Sequence, residues 1–242
     1  MKHFYCLLLY ALLLHAASAQ SPLKWDYPCK PGTDCWNALT SVDERQTACQ
    51  IKGIDLNTLS TEELLLITME HPFFRSFVFH DSPSEGFGFA VNGFNGYQEF
   101  VTRKDAVRTL VEVYEQEDFT NVLQISDTIE IGEYTLKWTG VELLMMNPAL
   151  LDRMSREESI HYLKRLHIKL IAKRQLNEFF GGTSFAASAL IYYRLATNLG
   201  FTLSPNVLEL DGFELFKTKL IVTNNRIIEL LLDDFDRYVK RN

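Results

Sequence analysis

Basic charge is in deficit in this chain of 242 residues: 24 Lys and Arg stand against 31 Asp and Glu, a formal net charge of −7. An acidic surface repels phosphate backbones, and no basic stripe offsets it, so nucleic-acid binding is disfavoured. The same sign works against adhesion to an anionic membrane surface. Beyond the first twenty residues long apolar runs are also missing. "LLLITM" and "IIELLL" are short and flanked by charge, and read as core-facing helix, not as membrane spans. Cysteine is sparse, with four in all. The C-x5-C spacing of Cys29 and Cys35 matches no zinc knuckle, and no paired histidines follow it.

The motifs of several enzyme classes are missing as well. There is no H-E-x-x-H and no G-x-S-x-G elbow, and Ser184 and Ser188 do not form an S-x-x-K pair. "GGTS" at 181–184 offers backbone N–H groups at a helix start, which suits an anion, but lacks the lysine of a phosphate loop. Thr183 or Ser184 as a helix cap explains the same residues. Glu157 and His161 stand at i, i+4 on a helical pattern, the spacing of a carboxylate–imidazole pair for acid–base work and equally of an ordinary surface pair. His71, His80 and Glu85 lie close in sequence, yet in no metal-ligand spacing, so the expectation is no metal and no other cofactor.

What is present begins with a leader. "MKHFYCLLLYALLLHAASAQ" joins a basic start, an apolar run from Phe4 to Leu14 and the small-x-small triplet Ala17-Ser18-Ala19. That order predicts a signal peptide over 1–19, a mature chain from Gln20, and a periplasmic or extracellular location. In an exported protein Cys29 and Cys35, separated by a Pro31-Gly32 turn, are placed to form a disulfide loop; three unbridged thiols are the alternative. Cys49 is left over either way.

Residues 20–33 read as an extended lead-in, and 34–242 as a single helical domain divisible into lobes 34–117 and 140–242. Helix-start signals recur: Thr33 or Asp34, Ser60 with Glu63, Ser82 with Pro83 and Glu85, Thr102 with Asp105, Ser155 with Glu158. With apolar i, i+3, i+4 spacing between them, they predict an all-α protein, an array of short capped helices without a fixed-period repeat. The segment 118–139 breaks the pattern. Its β-branched alternation predicts an irregular connection or a hairpin.

"EGFGFAVNGFNGYQEFVTRKDA", residues 85–106, packs glycines and aromatics together. On a helix Phe87, Val91 and Phe94 share one face, Asn95-Gly96 reads as the turn, and Tyr97, Phe100 and Val101 line a second helix. The stretch is thus a corner between two packed helices, with Gly93 allowing close approach. Tyr97, Arg103 and Lys104 mark the expected binding surface on it.

"LSTEELLLITMEHPFF", "FNGYQEFVTRKDAVRTLVEVY" and "FFGGTSFAASALIYYRLA" together resemble a family of secreted helical proteins from Bacteroidota without a characterised activity. The resemblance spans about residues 36 to 200 and implies export and a helical fold, and assigns no functional residue. The expected function is a non-catalytic binding or protein-interaction role, with an unknown protein or small-molecule ligand as partner. The alternative is a hydrolase acting on an extracellular polymer such as glycan or peptide.

Overall fold

The computed structural model describes residues 25–241. The leader, its cleavage site and the start of the lead-in lie outside the described residues. The protein is all-α: 69% of the described residues are helical, and no strand occurs among them. No helix among them is long and apolar enough to cross a membrane.

The helices start where local chemistry asks them to. α1 (Asp34–Ala38) is capped by Thr33, which accepts from the Trp36 N–H. Reciprocal Ser–Glu capping boxes open α2 (Val42–Ala48), α3 (Thr61–Met69) and the long α9 (Arg156–Gln175) through Ser41, Ser60 and Ser155. Ser82 caps α4 (Pro83–Asn92), with Pro83 in the first turn, and its hydroxyl also donates to the Lys219 carbonyl at 2.9 Å. α5 (Asn95–Thr102), α6 (Ala106–Gln116), α7 (Thr128–Met145), α8 (Pro148–Leu151), α10 (Gly182–Asn198), α11 (Pro205–Leu208), α12 (Phe213–Lys219) and α13 (Arg226–Arg241) complete the set.

The corner at 85–106 is real, but its turn falls two residues earlier than the sequence suggested. Gly93 ends α4, and Asn95-Gly96 opens α5. Close approach belongs to Gly96, not Gly93: a Cβ on Gly96 would meet the Phe94 ring at 2.6 Å and Ile51 Cδ1 at 2.9 Å, whereas one on Gly93 meets nothing within 4 Å. Two caps also differ. Thr102 closes α5, while Asp105 is the N-cap of α6 without a side-chain cap bond, its carboxylate accepting instead from the Thr61 hydroxyl at 2.7 Å. Gly181, not Thr183 or Ser184, is the N-cap of α10.

The largest correction concerns 118–139, which is neither hairpin nor irregular. A 3-10 turn over Phe119–Gln124 leads into α7, whose start is fixed by Asp127 Oδ1 accepting from the Ile129 and Glu130 N–H groups at 2.8 and 3.0 Å. Its threonines are accommodated by bonding back along the helix, Thr139 to the Thr135 carbonyl at 2.8 Å. Trp138 through Met145 are all buried, so α7 has no polar face along that half. Such a helix lacks the 3.6-residue alternation that betrays a surface helix. It packs against α3, α4, α6 and α10. One hydrophobic cluster consequently runs from Tyr27 to Phe235, joining the residues on either side of that segment.

Candidate functional site

A depression of about 690 Å3 lies where the lead-in crosses the end of α3 and the following 3-10 turn Ser76–Phe79. Trp25, Pro31, Pro72, Val78, Phe79 and Leu136 supply its apolar lining. Phe79 is 87% exposed, the value expected of an anchor and not of a core ring. The lead-in is held in place by Tyr27, whose hydroxyl donates to the Ile67 carbonyl at 2.8 Å, and by the Cys29–Cys35 disulfide, with Cα atoms 5.4 Å apart. Cys49 is the free thiol, buried, its pKa pushed up to about 11 by desolvation.

Charges at this groove are largely paired with one another. Lys30 bridges Asp26 at 2.9 Å, and Glu70 pairs with Lys137 at the rim. Beneath them, Trp25 Nε1 and Ser76 Oγ are buried without a hydrogen-bond partner. An unsatisfied buried donor costs about 1–3 kcal/mol, and two of them beside one groove are an uncommon concentration.

The predicted acid–base pair lands in a different place. Glu157 and His161 line a cleft of about 300 Å3 with Arg108, Glu112, Glu115 and Glu158. His161 Nε2 is 3.6 Å from Glu115 Oε2, and Arg165 holds the other oxygen of that carboxylate at 2.6 Å. Glu158 is engaged in the α9 capping box, and its hydrogen bonds to Ser155 hold its carboxyl below the usual range. Glu115 is thus the carboxylate that His161 meets in the cleft, a contact with α6 that sequence spacing along α9 did not show.

His71, His80 and Glu85 are not brought together. His71 is 2% exposed, its ring 4.6 Å from Phe94 and 5.6 Å from Tyr27. His80 is exposed beside the Phe89 ring, and Glu85 pairs with Lys219 at 3.1 Å. No group of three His, Cys, Asp or Glu suited to a metal occurs among the described residues. The Tyr97, Arg103 and Lys104 surface also divides. Arg103 braces the chain, donating to the Leu56 carbonyl at 2.9 Å; its Nε sits 2.8 Å from Glu99 Oε1 as an ion pair without hydrogen-bond alignment. Lys104 is exposed. Tyr97 is buried and lines a separate pocket with Asn147 and Arg194, of which Arg103 and Lys104 are not part.

A cluster that sequence reasoning missed sits in the core. Glu142 accepts from Tyr114 OH at 2.5 Å, from Lys173 Nζ at 2.6 Å and from Ser188 Oγ at 3.0 Å. Lys173 adds bonds to Ser188 Oγ and to the Ser184 carbonyl. A serine beside a lysine is a nucleophile–base pairing in principle. Here Glu142, Lys173 and Ser188 have no exposure, so no substrate reaches them, and the cluster is structural. The available signal was Lys173 falling in register with Leu166 and Leu170 on the buried stripe of α9.

No family model, no curated protein and no solved structure matches this chain.

Proposed function

We propose that this is an exported, non-catalytic binding protein that docks a polypeptide partner in the groove between the lead-in and the 3-10 turn Ser76–Phe79. The observation that carries the reading is Phe79, 87% exposed beside Trp25, Val78 and Leu136. A large ring held in water is unfavourable unless a partner covers it. A glycan site is the weaker fit, because Pro31, Pro72, Val78, Phe79 and Leu136 make much of the lining apolar, and Asp26 with Lys30 and Glu70 with Lys137 are already paired. Export rests on the leader pattern of residues 1–19.

The test is a peptide-display selection on the purified protein, with the selected peptides measured against Phe79→Ala and Trp25→Ala. Apolar or aromatic peptides whose affinity falls at least tenfold on either substitution support the reading. Peptides that bind both variants as well as the parent protein, or a glycan that binds through Trp25 instead, overturn it. N-terminal sequencing of the protein recovered outside the cytoplasm checks export, with Gln20 as the expected first residue.

A hydrolase is the second reading, and the cleft that gathers Glu115, Glu157 and His161 is the observation that favours it.

A further inference from the structure

Arg194 stands apart from the other charges of this acidic protein. It lies on α10 at the edge of a pocket of about 350 Å3 walled by α4, α5, the end of α7 and the start of α8. Ser84, Phe87, Gly88 and Val91 follow one another at i, i+3, i+4 and i+7, so one face of α4 makes a wall. Leu143, Met146 and Pro148 add apolar surface, and Tyr97, Asn92 and Asn147 complete the lining. No Asp or Glu lines the pocket, although the chain carries 31 of them.

The guanidinium is only partly exposed, and no carboxylate pairs with it among the described residues. Its recorded hydrogen bond is a single donation from Nη1 to the Met146 carbonyl at 2.5 Å. A guanidinium has five N–H donors in a planar fork matched to a carboxylate, so most of its capacity is unspent. Burial makes the charged form harder to hold and pulls the Arg194 pKa down, with only the Tyr193 hydroxyl opposing. A partly desolvated cation without a counter-ion is costly, and a bound anion removes that cost.

The other polar groups agree in sign. Ser84 Oγ is buried without a partner. The Tyr97 hydroxyl accepts from Asn147 Nδ2, which leaves its own proton to donate. Asn92 Nδ2 stands over Gly88, 3.3 Å from where a Cβ would be. The pocket therefore presents donors over an apolar floor.

We propose that this pocket binds an organic monocarboxylate with an apolar body, the carboxylate on Arg194 and the body against Phe87, Val91 and Leu143. One arginine with no lysine suits a single negative charge better than a phosphate dianion, and the volume exceeds what a bare inorganic ion fills. The ligand is either a free small acid or the C-terminal carboxylate of an apolar peptide. The site is independent of the Phe79 groove, so either reading can fail without the other.

The experiment is calorimetric titration of the purified protein with 4-methylpentanoate, its neutral amide and inorganic phosphate, and with a leucine-ended tripeptide carrying a free or an amidated C-terminus. The carboxylate is expected to bind and the amide and phosphate not to. The two peptides separate the sources: binding of the free acid alone assigns a small metabolite-like acid, and binding of the unamidated peptide assigns a chain terminus. Arg194→Gln should weaken binding about ten- to a hundredfold, the loss of a charge-assisted hydrogen bond. Should that variant fold poorly, Asn92→Ala, at an exposed position, should still weaken it several-fold. Equal binding of acid and amide, no binding of either acid, or unchanged affinity in Arg194→Gln or in Asn92→Ala would overturn the assignment.

Discussion

Lys173 Nζ lies 2.6 Å from Glu142 Oε1, and neither side chain has any exposure to solvent. Every donor of the ammonium finds an acceptor, in Glu142, Ser188 and the Ser184 carbonyl, and the Phe119 and Phe180 rings flank it at 5.9 and 5.7 Å. Burial pulls the lysine pKa down while the carboxylate opposes. Removing one partner strands the other charge in the core. Lys173→Met is therefore expected to destabilise by about 3–5 kcal/mol, whereas Lys173→Met with Glu142→Leu recovers much of that loss. Urea titration of the three proteins checks this. A double variant no more stable than the single one would mean that the pair itself, and not the stranded charge, holds the core.

His71 makes the fold sensitive to acid. Burial among Tyr27, Phe73 and Phe94 lowers its pKa from 6.5 to about 4. Between those values the unfolded chain takes up a proton that the folded chain refuses. The stability is thus fully present above pH 6.5, is lost as pH falls towards 4, and changes no further below it. The loss attributable to this one group is about 3 kcal/mol. His71→Phe should flatten that part of the pH–stability curve, while lowering the plateau by about 1 kcal/mol because the Phe73 N–H loses the Nδ1 that accepts from it. The comparison needs denaturation midpoints at several pH values from 4 to 7.5, and an unchanged slope in the variant would assign the acid sensitivity elsewhere.

The parts of this fold that could be read from sequence are those set by neighbours along the chain. Ser60 with Glu63 and Ser155 with Glu158 act within one turn, and both capping boxes form. The Cys29–Cys35 loop is equally local. Sequence reading failed where tertiary burial replaces periodicity. α7 gave no helical alternation because Trp138 to Met145 face protein on all sides. Glu142 meets Tyr114, Lys173 and Ser188 across separations of 28, 31 and 46 residues, and spacing carries no trace of such a meeting. Of the candidate binding residues only Tyr97 lines one of the pockets described above, since Arg194 and Asn147 reach it from other helices.

The α4–α5 corner predicts a sharp response to one methyl group. Gly96 sits where a Cβ would press on the Phe94 ring and on Ile51 Cδ1, both in the core. Phe94 is 1% exposed and packed against His71 and Tyr27, so it has little room to yield. Gly96→Ala should cost about 1–3 kcal/mol through overpacking, even though alanine is the better helix former. Gly93→Ala, with nothing within 4 Å of the added methyl, should stay within about 0.5 kcal/mol of the parent. Thermal melts of the two variants side by side separate packing from backbone effects. Equal losses would place the constraint in the turn instead.

The glutamates of the α6–α9 cleft give the hydrolase reading a direct trial. Glu157 and His161 share that cleft with Glu115, but Glu115 is already held by Arg165 at 2.6 Å, and Glu157 and His161 are exposed. A surface arrangement of this kind is worth a few tenths of a kcal/mol. Glu157→Gln and His161→Ala should therefore leave the melting midpoint within about a degree and leave peptide binding at the Phe79 groove unchanged. If the parent protein cleaves a glycan or peptide in a broad substrate screen and either substitution abolishes the cleavage with the fold intact, the cleft is catalytic and the binding reading gives way.

The disulfide links stability to the groove. Trp25, Asp26, Tyr27 and Lys30 reach the groove from the lead-in, which is secured by the Tyr27 bond to Ile67 on one side and by the Cys29–Cys35 loop on the other. Closing a loop of this length is worth about 2 kcal/mol of unfolded-state entropy. Cys29→Ser with Cys35→Ser should lower stability by about that amount and loosen the Trp25 wall, so that peptides selected at the groove bind more weakly. Carboxylate binding at Arg194 should stay unchanged, because α4, α5, α7, α8 and α10 build that pocket without the lead-in. Loss of both activities together would mean that the lead-in supports the whole core, and loss of neither would remove it from the binding surface.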